Sequence, residues 1–131
     1  MASWLGTLVA ERELEKPERP RTKAALRIGS PRKRRTGEYE CRYEIRGFGR
    51  ARRMKVYGVD GLQSLTLALV AARADLARMN GDVEWLEEPA YLGLPVMAGA
   101  HLPRKFVDRI EKAVGRVHAS FYREARKRAS R

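Results

Sequence analysis

The fold is decided between residues 38 and 46, where the sequence reads Glu-Tyr-Glu-Cys-Arg-Tyr-Glu-Ile-Arg. Apolar and charged side chains alternate here without a break. One face would carry the apolar set Tyr39, Cys41, Tyr43 and Ile45. The other face would carry the charged set Glu40, Arg42, Glu44 and Arg46. Because successive strand side chains point to opposite faces, this pattern predicts a strand with one buried face and one face in water or against a partner.

Three further strands are predicted around this one. Residues 7–15 place Leu8, Ala10 and Leu14 on an apolar face that Arg12 interrupts, and residues 22–28 alternate in the same way. Residues 47–49 form a Gly-Phe-Gly turn, after which residues 53–58 return as a strand. The run Arg32 to Arg35 lies between strands, and its four adjacent positive charges predict a solvated loop.

Two helices follow the strands. Asp60 is a suitable N-cap for a helix whose apolar residues recur every three or four positions, and Asn80-Gly81 would end it. Its predicted apolar stripe consists of Leu62, Leu65, Leu69, Ala72, Leu76 and Met79. Residues 83–86 form a possible short strand. A second helix begins near Pro103, and its predicted core-facing stripe is Phe106, Ile110, Ala113 or Val114, Val117 and Phe121.

These elements predict an α+β fold. We expect a four-stranded antiparallel sheet with a possible fifth short strand, a long helix packed on one face, and a second, C-terminal helix. Residues 1–122 would form a single domain, because 131 residues are too few for two independent cores. Residues 123–131, where the apolar stripe stops, would form a basic C-terminal tail.

Composition restricts the class of protein. Charged residues make up 34% of the chain and the formal net charge is +12, which favours a polyanionic partner or an acidic protein. The single cysteine excludes an internal disulfide and favours a reducing compartment, so we expect a cytoplasmic location. No apolar stretch approaches the roughly 20 residues of a membrane span, and we expect no membrane partner.

The positive charge falls into clusters. Residues 19–58 carry a net charge of +11 and residues 104–131 carry +7, whereas residues 59–103 carry −4. The candidate nucleic-acid-binding residues are Arg32, Lys33, Arg34, Arg35, Arg50, Arg52, Arg53, Lys55, Arg126, Lys127 and Arg128. They suit phosphate contacts without strong sequence preference, since no helix shows the side chains of a base-reading recognition helix.

Two aromatic residues within these clusters are candidates for stacking on bases, Phe48 and Tyr57. The sequence Arg46-Gly47-Phe48-Gly49 matches the opening of the motif of RNA-recognition domains, but the following residues do not continue it. A turn with Phe48 packed against the protein edge is the alternative interpretation.

No pattern of catalytic residues is present, so we expect no enzyme activity. The two histidines, His101 and His118, are 17 positions apart and form no metal-binding motif with Cys41. Glu87 and Glu88 would point to opposite sides of a strand, and no phosphate-binding glycine loop occurs. We therefore expect no metal and no cofactor, and Cys41 is interpreted as a small core residue.

Residues 57–65 read Tyr-Gly-Val-Asp-Gly-Leu-Gln-Ser-Leu and are followed by Leu67-Ala68-Leu69. This stretch resembles an uncharacterised family of short bacterial proteins catalogued as a domain of unknown function. The resemblance extends to five other places: residues 10–12, residues 28–31, Tyr39 to Ile45, Trp85 and Leu94-Pro95. It covers about residues 9–117 and implies a compact bacterial α+β domain. It supplies no catalytic residues.

Two hypotheses follow from the sequence. The first is a non-enzymatic protein that associates with nucleic acid through phosphate contacts. The second is an immunity or inhibitor-type module that docks on an acidic protein. Its anchor would be the apolar residues Tyr91, Leu92, Leu94, Val96 and Met97. Salt separates the two, because charge-only binding weakens with ionic strength and an apolar anchor does not.

Overall fold

The computed structural model describes residues 3–16, 22–78, 83–85, 88–89, 94–95 and 102–130. The chain divides into two compact units, residues 1–96 and residues 97–131, and each is described by itself. The first unit has the strands β1 (Leu8–Lys16), β2 (Thr22–Gly29), β3 (Arg32–Lys33), β4 (Tyr39–Arg46), β5 (Arg52–Gly58), β6 (Glu84–Trp85) and β7 (Glu88–Pro89), and the helix α1 (Gly61–Arg78). The second has the helix α2 (Arg104–Ala129). The predicted α+β class is confirmed.

The strands form one antiparallel sheet centred on β4. Strand β5 pairs with one side of β4, and both β2 and β3 pair with the other side. Strand β1 continues the sheet beyond β2, followed by β6 and β7. The four main strands are those that the alternating pattern predicts, and β6 corresponds to the predicted short strand. Strand β7 was not predicted.

The prediction that Arg32 to Arg35 form a loop is wrong for its first two residues. Arg32 pairs with Glu40 and Lys33 pairs with Tyr39, so β3 prolongs the line of β2 along β4. Ser30 and Pro31 interrupt that line, where proline has no N–H to donate to a ladder. A backbone turn then joins β3 to β4, closed by the Gly37 N–H donating to the Arg34 carbonyl at 3.0 Å.

The core lies between the sheet and α1, and the predicted inward faces of the strands are confirmed. The sheet contributes the buried residues Leu14, Ala24, Leu26, Ile28, Cys41, Tyr43 and Ile45. Helix α1 contributes Ala68, Ala72 and Leu76. Cys41 has no exposed surface and its thiol donates to the Gly29 carbonyl at 3.4 Å, as expected of a core residue.

Most of the predicted stripe of helix α1 faces the core: Ala72 and Leu76 are buried, and Leu65 and Leu69 pack against the core. Met79 lies outside the described residues, and the prediction is wrong for Leu62. Leu62 is 74% exposed, whereas the small residues Ser64 and Ala68 have no exposed surface. The reason is the close approach of β5: a Cβ on Gly58 would lie 2.5 Å from the Ser64 nitrogen. Only small side chains fit at that distance, so Ser64 and Ala68 occupy the closest approach to the sheet and the packed face is centred beside the predicted stripe.

The predicted N-cap of α1 is confirmed. The Asp60 carboxylate accepts a hydrogen bond from the Gln63 backbone N–H at 2.8 Å. In return, the Gln63 side-chain oxygen accepts from the Val59 N–H at 2.7 Å. This reciprocal pair satisfies backbone donors at the junction of β5 and α1 and fixes where the helix begins.

The sheet face opposite α1 is less open than predicted. Glu44 is 2% exposed and Glu40 is 8% exposed, although both belong to the charged set of β4. The N-terminal segment lies against this face, where the Trp4 carbonyl accepts from the Arg42 guanidinium at 2.6 Å. The Trp4 ring also lies 5.2 Å from the Arg42 guanidinium carbon. Burial of the two carboxylates is possible because each is paired with arginine.

The second unit consists, in its described residues, of α2, the two residues before it and Ser130 after it. The helix runs without interruption through the predicted basic tail and ends at Ala129, so residues 123–129 are helical. The predicted apolar stripe exists, but no described side chain of α2 is buried, and Val117 and Phe121 are 68% and 64% exposed. The single domain over residues 1–122 stays a prediction of the sequence.

Candidate nucleic-acid interface

A straight row of positive side chains lies along α2. We call it the helix stripe, and it consists of Lys105, Arg109, Lys112, Arg116, Arg123 and Lys127. Successive members are separated by four, three, four, seven and four residues. At 3.6 residues per turn these intervals keep all six within a sector of about 60°. All six are exposed.

The helix stripe contains no negative charge. The three acidic residues of α2, Asp108, Glu111 and Glu124, lie outside this sector. Within the parts of the chain that the structure describes, no cation of the stripe forms an ion pair. The Lys105 Nζ and the Arg109 guanidinium carbon instead lie 5.2 and 5.7 Å from the centre of the Phe106 ring. Such cation–π contacts attract the cations but leave their positive charge in place.

The predicted cluster at the C-terminus does not form one surface. Arg126, Lys127 and Arg128 are consecutive residues of a helix, so they project about 100° apart. Only Lys127 falls in line with the helix stripe. The sequence pattern drew attention to a run of adjacent charges, whereas the residues that share a face are spaced by three, four or seven positions and begin at Lys105.

Other predicted phosphate ligands gather at one end of the sheet. We call Arg32, Lys33, Arg35 and Lys55 the hairpin patch, in which Arg32 shares the face of Glu40 and Lys33 projects from the opposite face, that of Tyr39. All four are exposed, and none forms an ion pair with any residue in the described ranges. The charges of Lys55 and Arg32 both act on Glu40. Burial raises the pKa of Glu40, but a hydrogen bond from Arg42 and the charges of Arg42, Lys55 and Arg32 outweigh it and hold that pKa below its usual range.

Three of the predicted phosphate-binding arginines form ion pairs with carboxylates of the same chain. Arg34 lies 2.7 Å from Glu38 and Arg53 lies 3.0 Å from Glu44. Arg52 points to the other face of the sheet, where its Nε lies 3.0 Å from an oxygen of Asp75 on α1. These arginines neutralise carboxylates, and two of those carboxylates are buried.

Asp75 is the polar centre of the contact between helix and sheet. It is 4% exposed and accepts hydrogen bonds from the Tyr43 hydroxyl, from Arg52, and from Arg78 at 3.2 Å. Burial raises the pKa of this carboxyl, but the hydrogen bonds from Arg52 and Tyr43 outweigh it, so the pKa lies below its ordinary value. Asp75 therefore joins α1 to the sheet as a buried hydrogen-bond acceptor.

Glu44 is held in the same way on the opposite face. Burial raises the pKa of Glu44, and hydrogen bonds from Arg53 and Arg46 lower it further than burial raises it. The pKa of Glu44 therefore lies below its ordinary value. Replacing Arg53 would therefore leave a buried carboxylate with one fewer partner, and it would test stability as well as binding.

The two stacking candidates lie far apart. Tyr57 pairs with Glu40 at the start of β4, while Phe48 follows the end of β4. Eight strand residues separate these ends by about 25 Å. Each ring also has a cation of this chain near it: Arg34 is 5.0 Å from Tyr57 and Lys16 is 5.3 Å from Phe48. Phe48 packs against the core, so the structure supports the turn interpretation for it.

The basic turns at the two ends of β4 therefore form separate surfaces, as the strand pattern predicts. The hairpin patch lies at the first end, and Arg50 belongs to the turn at the second end. Arg50 is exposed and forms no ion pair with another described residue.

The predicted apolar anchor of a protein-docking surface is not assembled in the described residues. Leu94 packs against the core and is not available as an exposed anchor. Tyr91, Leu92, Val96 and Met97 lie outside the described residues, as does His101. A different apolar patch is present at the junction of β5 and α1, which sequence analysis missed. Val59 is 76% exposed, Leu62 is 74% exposed and the neighbouring Tyr57 is 42% exposed.

Within the described ranges, no three or more His, Cys, Asp or Glu side chains are grouped so that they could hold a metal ion. A search of the same residues for a helix with the length and apolar character to cross a membrane found none.

Comparison with family models decides which family the chain represents. The model of a domain of unknown function, DUF6968, matches residues 10–96. The chain belongs to the DUF6968 family. The predicted resemblance to an uncharacterised domain family is thereby confirmed. The DUF6968 match covers β1 through β7 and α1 and ends before α2, so the helix stripe lies outside it. Comparison with curated proteins and with solved structures gave no match.

Proposed function

We propose that this protein is a non-enzymatic nucleic-acid-binding protein that contacts phosphates through the helix stripe. The observation that carries the proposal is the alignment of six exposed cations on one side of α2 without an ion pair among the described residues. A polyanion gains from such a row because each neutralised phosphate releases a condensed counterion. The hairpin patch and Arg50 would add contacts of the same kind.

A cytoplasmic location is part of this proposal. It is supported by the only cysteine of the sequence, Cys41, which is a buried free thiol in the core and suits a reducing compartment.

The test compares three variants that each remove three charges. The stripe variant carries Arg109→Gln, Lys112→Gln and Arg116→Gln. The off-stripe control carries Arg104→Gln, Arg126→Gln and Arg128→Gln on the same helix. The hairpin variant carries Arg32→Gln, Lys33→Gln and Arg35→Gln. Glutamine keeps helix propensity close to that of arginine and lysine, so circular dichroism should show unchanged helix content in the two helix variants.

Binding to single-stranded DNA is measured by fluorescence anisotropy over a salt series. A single strand loses about 0.7 in the slope of log K against log salt for each phosphate contact removed. The stripe variant should therefore reduce the slope by about 2, and the off-stripe control by less than about 1. Equal losses in both would show that net charge, and not the stripe, carries binding. Absence of binding at about 50 mM salt would remove the proposed function.

A second candidate function, docking on an acidic protein, is supported by the exposed apolar patch of Tyr57, Val59 and Leu62. Exposed large apolar residues next to cations suit a partner with an apolar anchor and an acidic rim. Salt screens the charges but not the anchor, so such a complex should survive in about 0.5 M salt. The test is a pull-down at that salt with the intact protein and with a Val59→Gln, Leu62→Gln variant. A partner retained only by the intact protein supports docking, and retention by both excludes this patch.

A further inference from the structure

We infer that the nucleic acid is a single strand that lies along the axis of α2 and is held by its phosphates alone. This inference rests on the proposed function and specifies its ligand. From Lys105 to Lys127 the helix stripe spans 22 residues, which is about 33 Å at 1.5 Å per residue. The stripe follows the helix axis because its six positions stay within one sector of a continuous helix. A ligand that engages all six cations must therefore present phosphates along a straight line of that length.

Duplex DNA does not present such a line. Each of its strands winds once around the axis in about 34 Å. A straight row of cations lying against the duplex therefore meets each strand about once over its whole length. Cations between those crossings face a groove instead of a phosphate. We expect a duplex to engage about half of the stripe.

A single strand can follow the stripe because its backbone bends and straightens freely. A stacked strand advances about 3.4 Å per phosphate, so 33 Å accommodates about ten phosphates, and fewer when the strand is extended. Six engaged cations correspond to a salt slope of about −4, against about −3 for a duplex that engages three. At about 0.1 M salt that difference corresponds to at least tenfold tighter binding of the single strand.

The bases should contribute little. Proteins that stack bases place aromatic rings between their cations, at about 1 to 3 kcal/mol per base. Phe121 and Tyr122 lie on other sides of α2, and the Phe106 ring beside the stripe already has the charges of Lys105 and Arg109 within 6 Å of it. A chain of phosphates without bases, such as inorganic polyphosphate, should therefore compete for the same row.

The experiment uses the full chain and fluorescein-labelled thymidine oligomers of about 4, 7, 10, 14 and 20 nucleotides, with a 20-base-pair duplex for comparison. The affinity should rise steeply up to about ten nucleotides and then only slowly. The 20-mer should bind at least about tenfold tighter than the duplex at about 0.1 M salt, adenosine and thymidine oligomers should bind within about threefold, and polyphosphate should displace them. The stripe variant should lose the preference for single strands, and the off-stripe control should keep it.

Failure of the inference and failure of the proposed function give different results. Binding of the duplex as tightly as the single strand overturns the single-strand assignment while nucleic-acid binding stands. A strong preference among bases, or no displacement by polyphosphate, overturns the phosphate-only contact. Absence of binding to every oligomer and to the duplex removes the proposed function itself.

Discussion

Replacing Asp75 by asparagine tests the polar centre between α1 and the sheet. Arg52 and Arg78 are 43% and 75% exposed, so water replaces much of what they lose when the charge is removed. The Tyr43 hydroxyl is buried and cannot reach water. Asparagine keeps one carbonyl oxygen that can accept from Tyr43 but lacks the charge and the second acceptor oxygen, and a hydrogen bond to a charged group contributes about 1.5 to 3 kcal/mol. We therefore expect Asp75→Asn to lower the free energy of unfolding by about 2 kcal/mol.

The assay is thermal and urea unfolding followed by circular dichroism. For the unit that contains residues 1–96, about 2 kcal/mol corresponds to a fall in Tm of roughly 10 °C. Tyr43→Phe removes the donor of the same hydrogen bond that Asp75→Asn weakens, so the two losses overlap and the Tyr43→Phe, Asp75→Asn double variant should be more stable than the sum of the single losses predicts. Strict additivity, or a change in Tm of less than about 2 °C for Asp75→Asn, would refute the reasoning.

The same variant has a defined pH signature. The pKa of Asp75 is lower in the folded than in the unfolded protein. The ionised Asp75 therefore contributes to the free energy of unfolding at pH values above its unfolded pKa of about 3.9. The contribution is lost as the pH falls below that value toward the folded pKa. Asp75→Asn should therefore destabilise most at neutral pH and have a smaller effect near pH 3. The pKa values of Glu44 and Glu40 are also lowered in the folded protein, so the stability of the variant should still fall in acid, though by less.

Further predictions concern two glycines and the cysteine. Gly58→Ala should destabilise the fold by about 1 to 3 kcal/mol, since the new Cβ would lie 2.5 Å from the Ser64 nitrogen, and urea unfolding measures the loss. Gly115→Ala is its counterpart, because no described atom lies within 4 Å of a Cβ there, and it should stabilise the helix by up to about 1 kcal/mol, measured as higher helix content or a higher Tm. Burial raises the pKa of the Cys41 thiol to about 11, so alkylation at pH 8 should be far slower than that of a free thiol, and fast labelling of the folded protein would contradict its place in the core.

The strands could be predicted from sequence because their alternation is local. Residues 38–46 place Tyr43 and Ile45 inside wherever the strand lies in the sheet, and the structure agrees. Burial of Glu44 on the opposite face could not be predicted, because it depends on Arg53 from the next strand and on a segment forty residues earlier that contains Trp4. Contacts between segments that are distant in the sequence cannot be predicted from the alternation of residues within one strand.

The candidate site shows the same limit in another form. Adjacent charges such as Arg32 to Arg35 are visible in a sequence, but adjacency separates side chains on a helix and alternates them on a strand. The helix stripe could have been found from the sequence, because Arg109, Lys112 and Arg116 are spaced by three and four residues within a helix that the apolar residues predict. The ion pair between Arg52 and Asp75 could not be found in this way, because it depends on how β5 and α1 pack against each other.

Strand β5 also has a consequence for how copies of this protein meet. In the described part of the sheet it pairs only with β4, which makes its other side an edge with unsatisfied backbone donors and acceptors. Lys55, which forms no ion pair with a described residue, would meet an identical charge if two such edges joined, at a strand spacing of about 4.8 Å. Repulsion at that distance opposes fibre-like growth of the sheet. Part of the positive charge of this chain thus keeps its own sheet from adding copies of itself, whatever ligand the rest of that charge attracts.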